Sequence, residues 1–272
     1  MSKLFLWHTP LSPFVEKVKI VLAEKGLDYD SAVPEGIGVD VSAPLAQANP
    51  RSEAPALVDG EVTIFDSTII CEYIEDKWPN PPLRAATPAA RARARMIEDV
   101  CDTHYEAITW GLYELNFFKR GQAQGLAEEL QQRARADTAI LHDWLETQLG
   151  ADTWFGGASF GMADIAVGPF IAGSALHGIV LDPARPLGRW FARMKARPSV
   201  AQVLEASHAD LSLINSVAEV LDQGLLKRHY RDHRLEWMLR AGGLQVLLDG
   251  LAADNLRFTD IALLRDLPRL AS

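Results

Sequence analysis

The sequence predicts a small α/β unit followed by an all-helical one. Three observations carry this. Residues 3–77 read as strands and helices in the order βαβαββα. A proline-rich break, Trp78-Pro79-Asn80-Pro81-Pro82, comes next. Beyond it, every periodic segment has helical spacing.

Lys3 to Trp7 is a short apolar run and reads as the first strand. Pro13 to Glu24 is amphipathic and reads as the first helix. Ser12 stands at its N-cap, Pro13 at its first position, and Gly26 is its stop. Asp28 to Pro34 reads as a second strand, parallel to the first, closing a βαβ unit. A Gly-rich segment then leads to a weak helix around Ala43 to Ala48. Ala54 to Phe65 is the clearest hairpin, with Asp59-Gly60 predicted as a type I′ turn. Asp66-Ser67 caps a helix over Thr68 to Lys77.

After the break, Ala89 to Arg120 reads as one long helix with a charged start and an aromatic later half. Gly125 to Gly150, Gly161 to about Leu176, Leu187 to Lys195 and Ser199 to Ala206 follow as further helices. The tail adds about four more helical segments. The expected divisions are 1–80, 88–209 and a helical extension over 210–272.

The chain has 272 residues, 48% of them hydrophobic, which supports a packed core. Its net charge of −9 argues against nucleic acid or an anionic membrane as the main partner, because both need basic surface. Cys71 and Cys101 are far apart and form no CxxC pair, so a reduced, cytoplasmic setting is expected. No metal is expected. The apolar run near Met1 is too short for a signal peptide. Ala163 to Leu181 contains Asp164, Pro169 and His177, so it reads as a buried helix and a turn rather than a membrane span. His229 and His233 are four apart in a dense charge run. They lack the HExxH pattern of a zinc pair, and a solvated or partner-facing helix surface is expected.

Ser12 places a hydroxyl at a positive helix terminus, beside N–H groups that have no partner within the helix. Such a place stabilises an anion. The same serine also serves as an ordinary cap.

Four motifs, in this order and spacing over about the first 205 residues, resemble the cytosolic glutathione transferase superfamily with a serine-type active site, as found in bacteria. The first is Ser12-Pro13-Phe14-Val15-Glu16-Lys17-Val18-Lys19-Ile20. The second is Asn49-Pro50-Arg51-Ser52-Glu53-Ala54-Pro55-Ala56-Leu57. The third is Phe65-Asp66-Ser67-Thr68-Ile69-Ile70-Cys71-Glu72-Tyr73-Ile74. The fourth is Gly161-Met162-Ala163-Asp164-Ile165-Ala166.

The resemblance implies a thioredoxin-like first domain, an all-α second domain and glutathione as co-substrate. It implies that Ser12 donates a hydrogen bond to the glutathione sulfur, with Thr9 and His8 as nearby rivals. Pro55 is expected to be cis, with the Ala54 backbone pairing the cysteinyl unit of glutathione. Asp66 and Ser67 are expected at the γ-glutamyl end. Glu53 departs from the family pattern, because a carboxylate beside the cis-proline opposes the glycyl carboxylate. Arg51 or Lys17 is the candidate cation for that group. Leu11, Phe14, Trp110 and Tyr113 are expected to border a hydrophobic second-substrate site, although core packing is the plain reading of any one aromatic in that helix. Asp164 is expected to serve folding. The implied molecule is a cytoplasmic homodimer in detoxification, acting on a small hydrophobic electrophile. The alternative is a non-catalytic binding or interaction protein of the same fold. A disulfide reductase fits less well, because serine stands where that chemistry favours cysteine.

Overall fold

The structure, a computed structural model, describes residues 3–34, 43–122, 125–209, 223, 232–256, 261–266 and 268–270. Its first half is β1 (Leu4–Trp7), α1 (Pro13–Glu24), β2 (Tyr29–Ala32), α2 (Ala43–Ala48), β3 (Ala56–Asp59), β4 (Val62–Phe65) and α3 (Ser67–Lys77). The strands form one sheet in the order β2-β1-β3-β4. The β1–β2 pair is parallel, with Leu4 opposite Tyr29, while β1–β3 and β3–β4 are antiparallel. This is a thioredoxin-like sheet.

Strand alternation sets the two faces of that sheet. Leu4 and Leu6 are buried in the main core with Val18 and Ile70 of α1 and α3. Trp7 packs on the other side, with Leu45 and Ala48 of α2. The hairpin differs from the expectation in one respect. Asp59 pairs with Val62, so the loop residues are Gly60 and Glu61. Positive φ occurs at Gly60, at 64°, and not at Glu61, which excludes the type I′ turn. Asp59 is instead a buried strand residue whose carboxylate accepts from Tyr73 Oη at 2.8 Å and from Lys77.

The second half is helical. It comprises α4 (Pro88–Val100), a π-helical turn (Cys101–Tyr105), α5 (Glu106–Asn116), α6 (Leu126–Leu149), α7 (Met162–Ala175), α8 (Pro186–Lys195) and α9 (Pro198–Ala209). Further on lie α10 (His233–Arg240), α11 (Leu244–Ala252) and a 3₁₀ turn (Ile261–Asp266). The expected long helix over Ala89 to Arg120 is thus two helices around a π turn. One apolar cluster runs from Leu6 and Ile70 through Ile97 and Tyr105 to Trp144, Phe170 and Trp190, so both halves share a core. Cys71 and Cys101 are buried in it, and burial pushes both thiols up, away from reactivity. Among the described residues, no helix is long and apolar enough to cross a membrane. His229 lies outside the described residues, as does much of the expected extension.

Asp164 explains how α7 starts without a hydroxyl cap. Its Oδ2 accepts the Gly161 N–H at 3.0 Å. Its Oδ1 accepts Phe155 N–H at 3.0 Å and Trp190 Nε1–H at 2.7 Å. Gly161 itself lies against the Leu83 carbonyl, where a Cβ would come within 2.6 Å of the oxygen. The missing cap hydroxyl is therefore a matter of space, and Asp164 has the structural role expected of it.

Candidate functional site

A cleft of about 470 Å³ opens between the two halves. That volume is within the range of small-molecule sites, roughly 300–1,000 Å³. The sheet half contributes Phe14, Asn49, Arg51, Glu53, Ala54, Pro55, Asp66 and Ser67. The helical half contributes Asp102, Thr103, Glu106 and Ala107, and Asp232 adds a residue from the N-terminal end of α10.

Local geometry explains why these residues meet. The Ala54–Pro55 peptide is cis, as expected, and leads straight into β3. Asn49 braces the loop before it, accepting Arg51 N–H at 2.9 Å and donating to the Glu53 carbonyl at 2.7 Å. Asp66 caps α3 through Oδ1, which accepts Thr68 N–H at 3.0 Å and Ile69 N–H at 3.3 Å. Its backbone sits at φ 75°, ψ 125°, a conformation costing roughly 1–3 kcal/mol that recurs at ligand sites. Ser67 follows as the first, buried residue of α3.

Ser12 is the N-cap of α1, and its Oγ accepts Val15 N–H at 3.4 Å. It does not line the cleft itself. Phe14, two residues on, does, and its ring meets Phe170 edge-on at 5.8 Å. Leu11 sits at φ 57°, a strained value for leucine, and its N–H bonds Ser207 Oγ on α9 at 3.1 Å. The His8 ring turns to Lys19, with Nδ1 and Nζ 3.3 Å apart, while Thr9 is half-buried between them in sequence.

Trp110 and Tyr113 are half-buried on α5 and lie outside the cleft lining. Tyr113 packs on His177 and Phe117, at 4.6 and 5.2 Å between ring centres. Tyr105 belongs to the core: it is fully buried, stacks on Phe170, and bonds His142 Nε2 at 2.7 Å and Ser174 Oγ at 3.0 Å. The π turn explains the discrepancy, because its wider winding rotates the later helix relative to the earlier one.

Lys17 is not available to a ligand. It is 1% exposed and bonds Glu98 Oε1 at 2.6 Å and Asp102 Oδ2 at 2.7 Å. Burial pulls its ammonium down, but the Asp102 and Glu98 carboxylates outweigh that and hold it up, so it stays charged. Arg51 is the cation that does line the cleft, its guanidinium lying 5.7 Å from the Phe65 ring. The opposing wall is acidic. Asp102, Thr103 and Glu106 form a polar stripe, i, i+1, i+4, along this segment. That polar spacing is present in the sequence, interleaved with the aromatic one.

Residues 6–82 match the model of the glutathione S-transferase N-terminal domain. The chain is 29% identical over 210 residues to glutathione S-transferase GstB of Escherichia coli K12, covering 73% of this chain and 96% of that protein. A glutathione S-transferase crystal structure from Rhodospirillum rubrum F11 superposes with a TM-score of 0.65 at 28% identity, covering 74% of this chain and 91% of that one.

The chain has the fold of the glutathione transferase superfamily, and its residues 6–82 match that superfamily's N-terminal domain.

Within that superfamily its relatives are of more than one kind. It is also 26% identical over 225 residues to a stringent starvation protein A homolog of Coxiella burnetii, covering 79% of this chain and 98% of the relative. The glutathione S-transferase N-terminal match spans Ser12, the cis-proline turn and the Asp66-Ser67 helix start together.

Proposed function

We propose that the cleft binds glutathione and that the N-terminus of α1 holds its sulfur as the thiolate, aimed at a hydrophobic electrophile. One observation carries the reading: the cis-proline edge and the Asp66-Ser67 helix start form one wall, and Phe14 of the first turn of α1 stands on the same cleft. The Ala54 backbone pairs the cysteinyl unit as an added strand. The start of α3 at Ser67 takes the γ-glutamyl carboxylate, and Arg51 takes the glycyl one.

The energetics are sufficient. A free thiol near pKa 8.5 is mostly protonated at neutral pH, and bringing it to about 6.5 requires roughly 3 kcal/mol. A hydrogen bond to a charged group contributes about 1.5–3 kcal/mol and a helix terminus about 0.3–1. The Ser12 hydroxyl and the α1 terminus together supply that amount. The thiolate then attacks carbon in a conjugation, dehalogenation, ether cleavage or isomerisation. Phe14 and Leu11 border the electrophile, with Trp110 and Tyr113 behind them. The working form is a cytoplasmic homodimer, divided at 1–80, 88–209 and 210–272.

The test is ultraviolet absorbance of bound thiolate, followed against pH in the wild type and in Ser12→Ala, alongside turnover of a panel of electrophiles. The reading expects a thiolate band near neutrality that moves to higher pH in the variant. A complex with the sulfur remote from Ser12 would overturn it.

A second reading, a binding or interaction protein of the same fold, is favoured by the charge of the cleft. Glu53, Asp66, Asp102, Glu106 and Asp232 face it, against Arg51. Glutathione binding without a thiolate band and without turnover would establish that reading.

A further inference from the structure

A buried carboxylate that the chemistry above does not use stands one turn behind Ser12. Glu16 is 4% exposed, and its backbone N–H bonds the Ser12 carbonyl at 2.9 Å. Its Oε1 accepts the Ser207 hydroxyl at 2.5 Å. The Ser207 oxygen in turn accepts the Leu11 N–H at 3.1 Å. A hydroxyl has one proton to give. With that proton directed at Glu16, the oxygen keeps its lone pairs for Leu11. A three-member chain thus runs from the carboxylate through α9 to the strained residue immediately before Ser12.

The groups acting on Glu16 come from three elements. Lys19 lies on α1 itself, with Nζ 3.3 Å from His8 Nδ1 at the far end of the same loop. Ser207 lies on α9, and the Tyr113 phenol faces Glu16 from α5. Burial dominates and pushes the Glu16 carboxyl up to about 7, against the pull of Ser207 and Lys19. Its charge therefore changes near neutrality.

We propose that Glu16 is a positioning residue for the sulfur site, fixing the Leu11 peptide through Ser207 and so aiming the Ser12 hydroxyl and the first N–H groups of α1. This rests on the glutathione reading above. Ionised Glu16 holds the Ser207 proton firmly. Protonated Glu16 loosens it, and the loop before Ser12 loosens with it.

Two measurements test the role. In the ligand-free full chain, the Leu11 amide resonance is followed by NMR from pH 5 to 9. It should titrate with a midpoint near 7 in the wild type and stay flat in Glu16→Gln. With glutathione bound, the thiolate absorbance titration should move up by about one pH unit in Ser207→Ala and return in Ser207→Thr. Turnover should fall about tenfold in Ser207→Ala, with the KM for glutathione little changed. A Leu11 amide that does not titrate, or equal thiolate midpoints in the wild type and Ser207→Ala, overturns the role alone. A wild type with no thiolate band overturns the glutathione reading and this role with it. If Ser207→Ala does not fold, the comparison of Glu16→Gln with the wild type decides on both measurements.

Discussion

At the scale of single residues, Ser12 is a helix cap to which the proposed function adds a ligand-facing role. The cap hydrogen bond is long, at 3.4 Å. Ser12→Ala should therefore lower unfolding free energy by less than about 1 kcal/mol, toward the weak end for a lost cap, while turnover falls at least tenfold. Denaturant melts and steady-state rates measure the two effects separately. The charge pattern at the cis-proline turn gives a paired expectation. Glu53→Gln should tighten glutathione binding a few-fold, and Arg51→Ala should weaken it by a similar factor, both read by calorimetric titration. Equal affinities in both variants would remove Arg51 from the glycyl end. Ser12, Pro55 and Asp66 were legible in the sequence because each coincides with a chain-punctuating signal: a cap, a proline, an Asp-Ser helix start. Lys17 was not. Nothing in a linear string shows that Glu98 and Asp102, more than eighty residues on, fold over its ammonium.

At the scale of elements, helix starts carry much of this fold's stability and, in the proposed function, its chemistry. Asp164 anchors α7, the 155–161 loop and Trp190 through three hydrogen bonds, with its side chain wholly buried. Asp164→Ala leaves three donors unpaired, and the two buried ones, Phe155 N–H and Trp190 Nε1–H, each cost about 1–3 kcal/mol. The variant should lose at least about 2 kcal/mol in urea denaturation, with the loss traceable to the helical half. The order of strands and helices was readable from periodicity because each short element carries its own alternation or its own cap. The π turn at Cys101–Tyr105 was not. One extra residue in a turn changes no cap and inserts no breaker, yet it sends Tyr105 into the core and sets Asp102, Thr103 and Glu106 on the cleft. The hairpin loop moved by one residue for a similar reason: Asp59 is claimed by Tyr73 and Lys77, a tertiary demand that local turn preference does not contain.

At the scale of the whole molecule, buried titratable groups make stability depend on pH in opposing ways. Burial holds His142 and His177 down to about 4, so stability drains away as pH falls from about 6.5 through 4. Burial holds Glu16 up to about 7 and Asp164 up to about 6. A raised carboxyl contributes stability below its unfolded value and loses it as pH rises through the folded one. For Glu16, moving from 4.5 to about 7 amounts to something on the order of 3 kcal/mol. Because the two families oppose each other, a difference measurement separates them. The stability of Glu16→Gln relative to the wild type should rise steadily between pH 4.5 and 7 and then level off; a constant difference would contradict the burial of a titrating carboxyl there. Sedimentation should give a homodimer, and a monomer at all concentrations would remove that part of the proposal.

The two halves are also stitched together along α1. Phe14 meets Phe170, Glu16 meets Ser207, and Glu24 takes a two-pronged grip from Arg197 at 2.7 and 3.0 Å. A single helix is thus the party wall of both compartments. Chimaeras spliced at the proline-rich break should misbehave unless Phe14, Glu16 and Glu24 travel with their counterparts. Divergence along this lineage is then constrained to proceed by matched exchanges across that wall, rather than by free shuffling of one half against another.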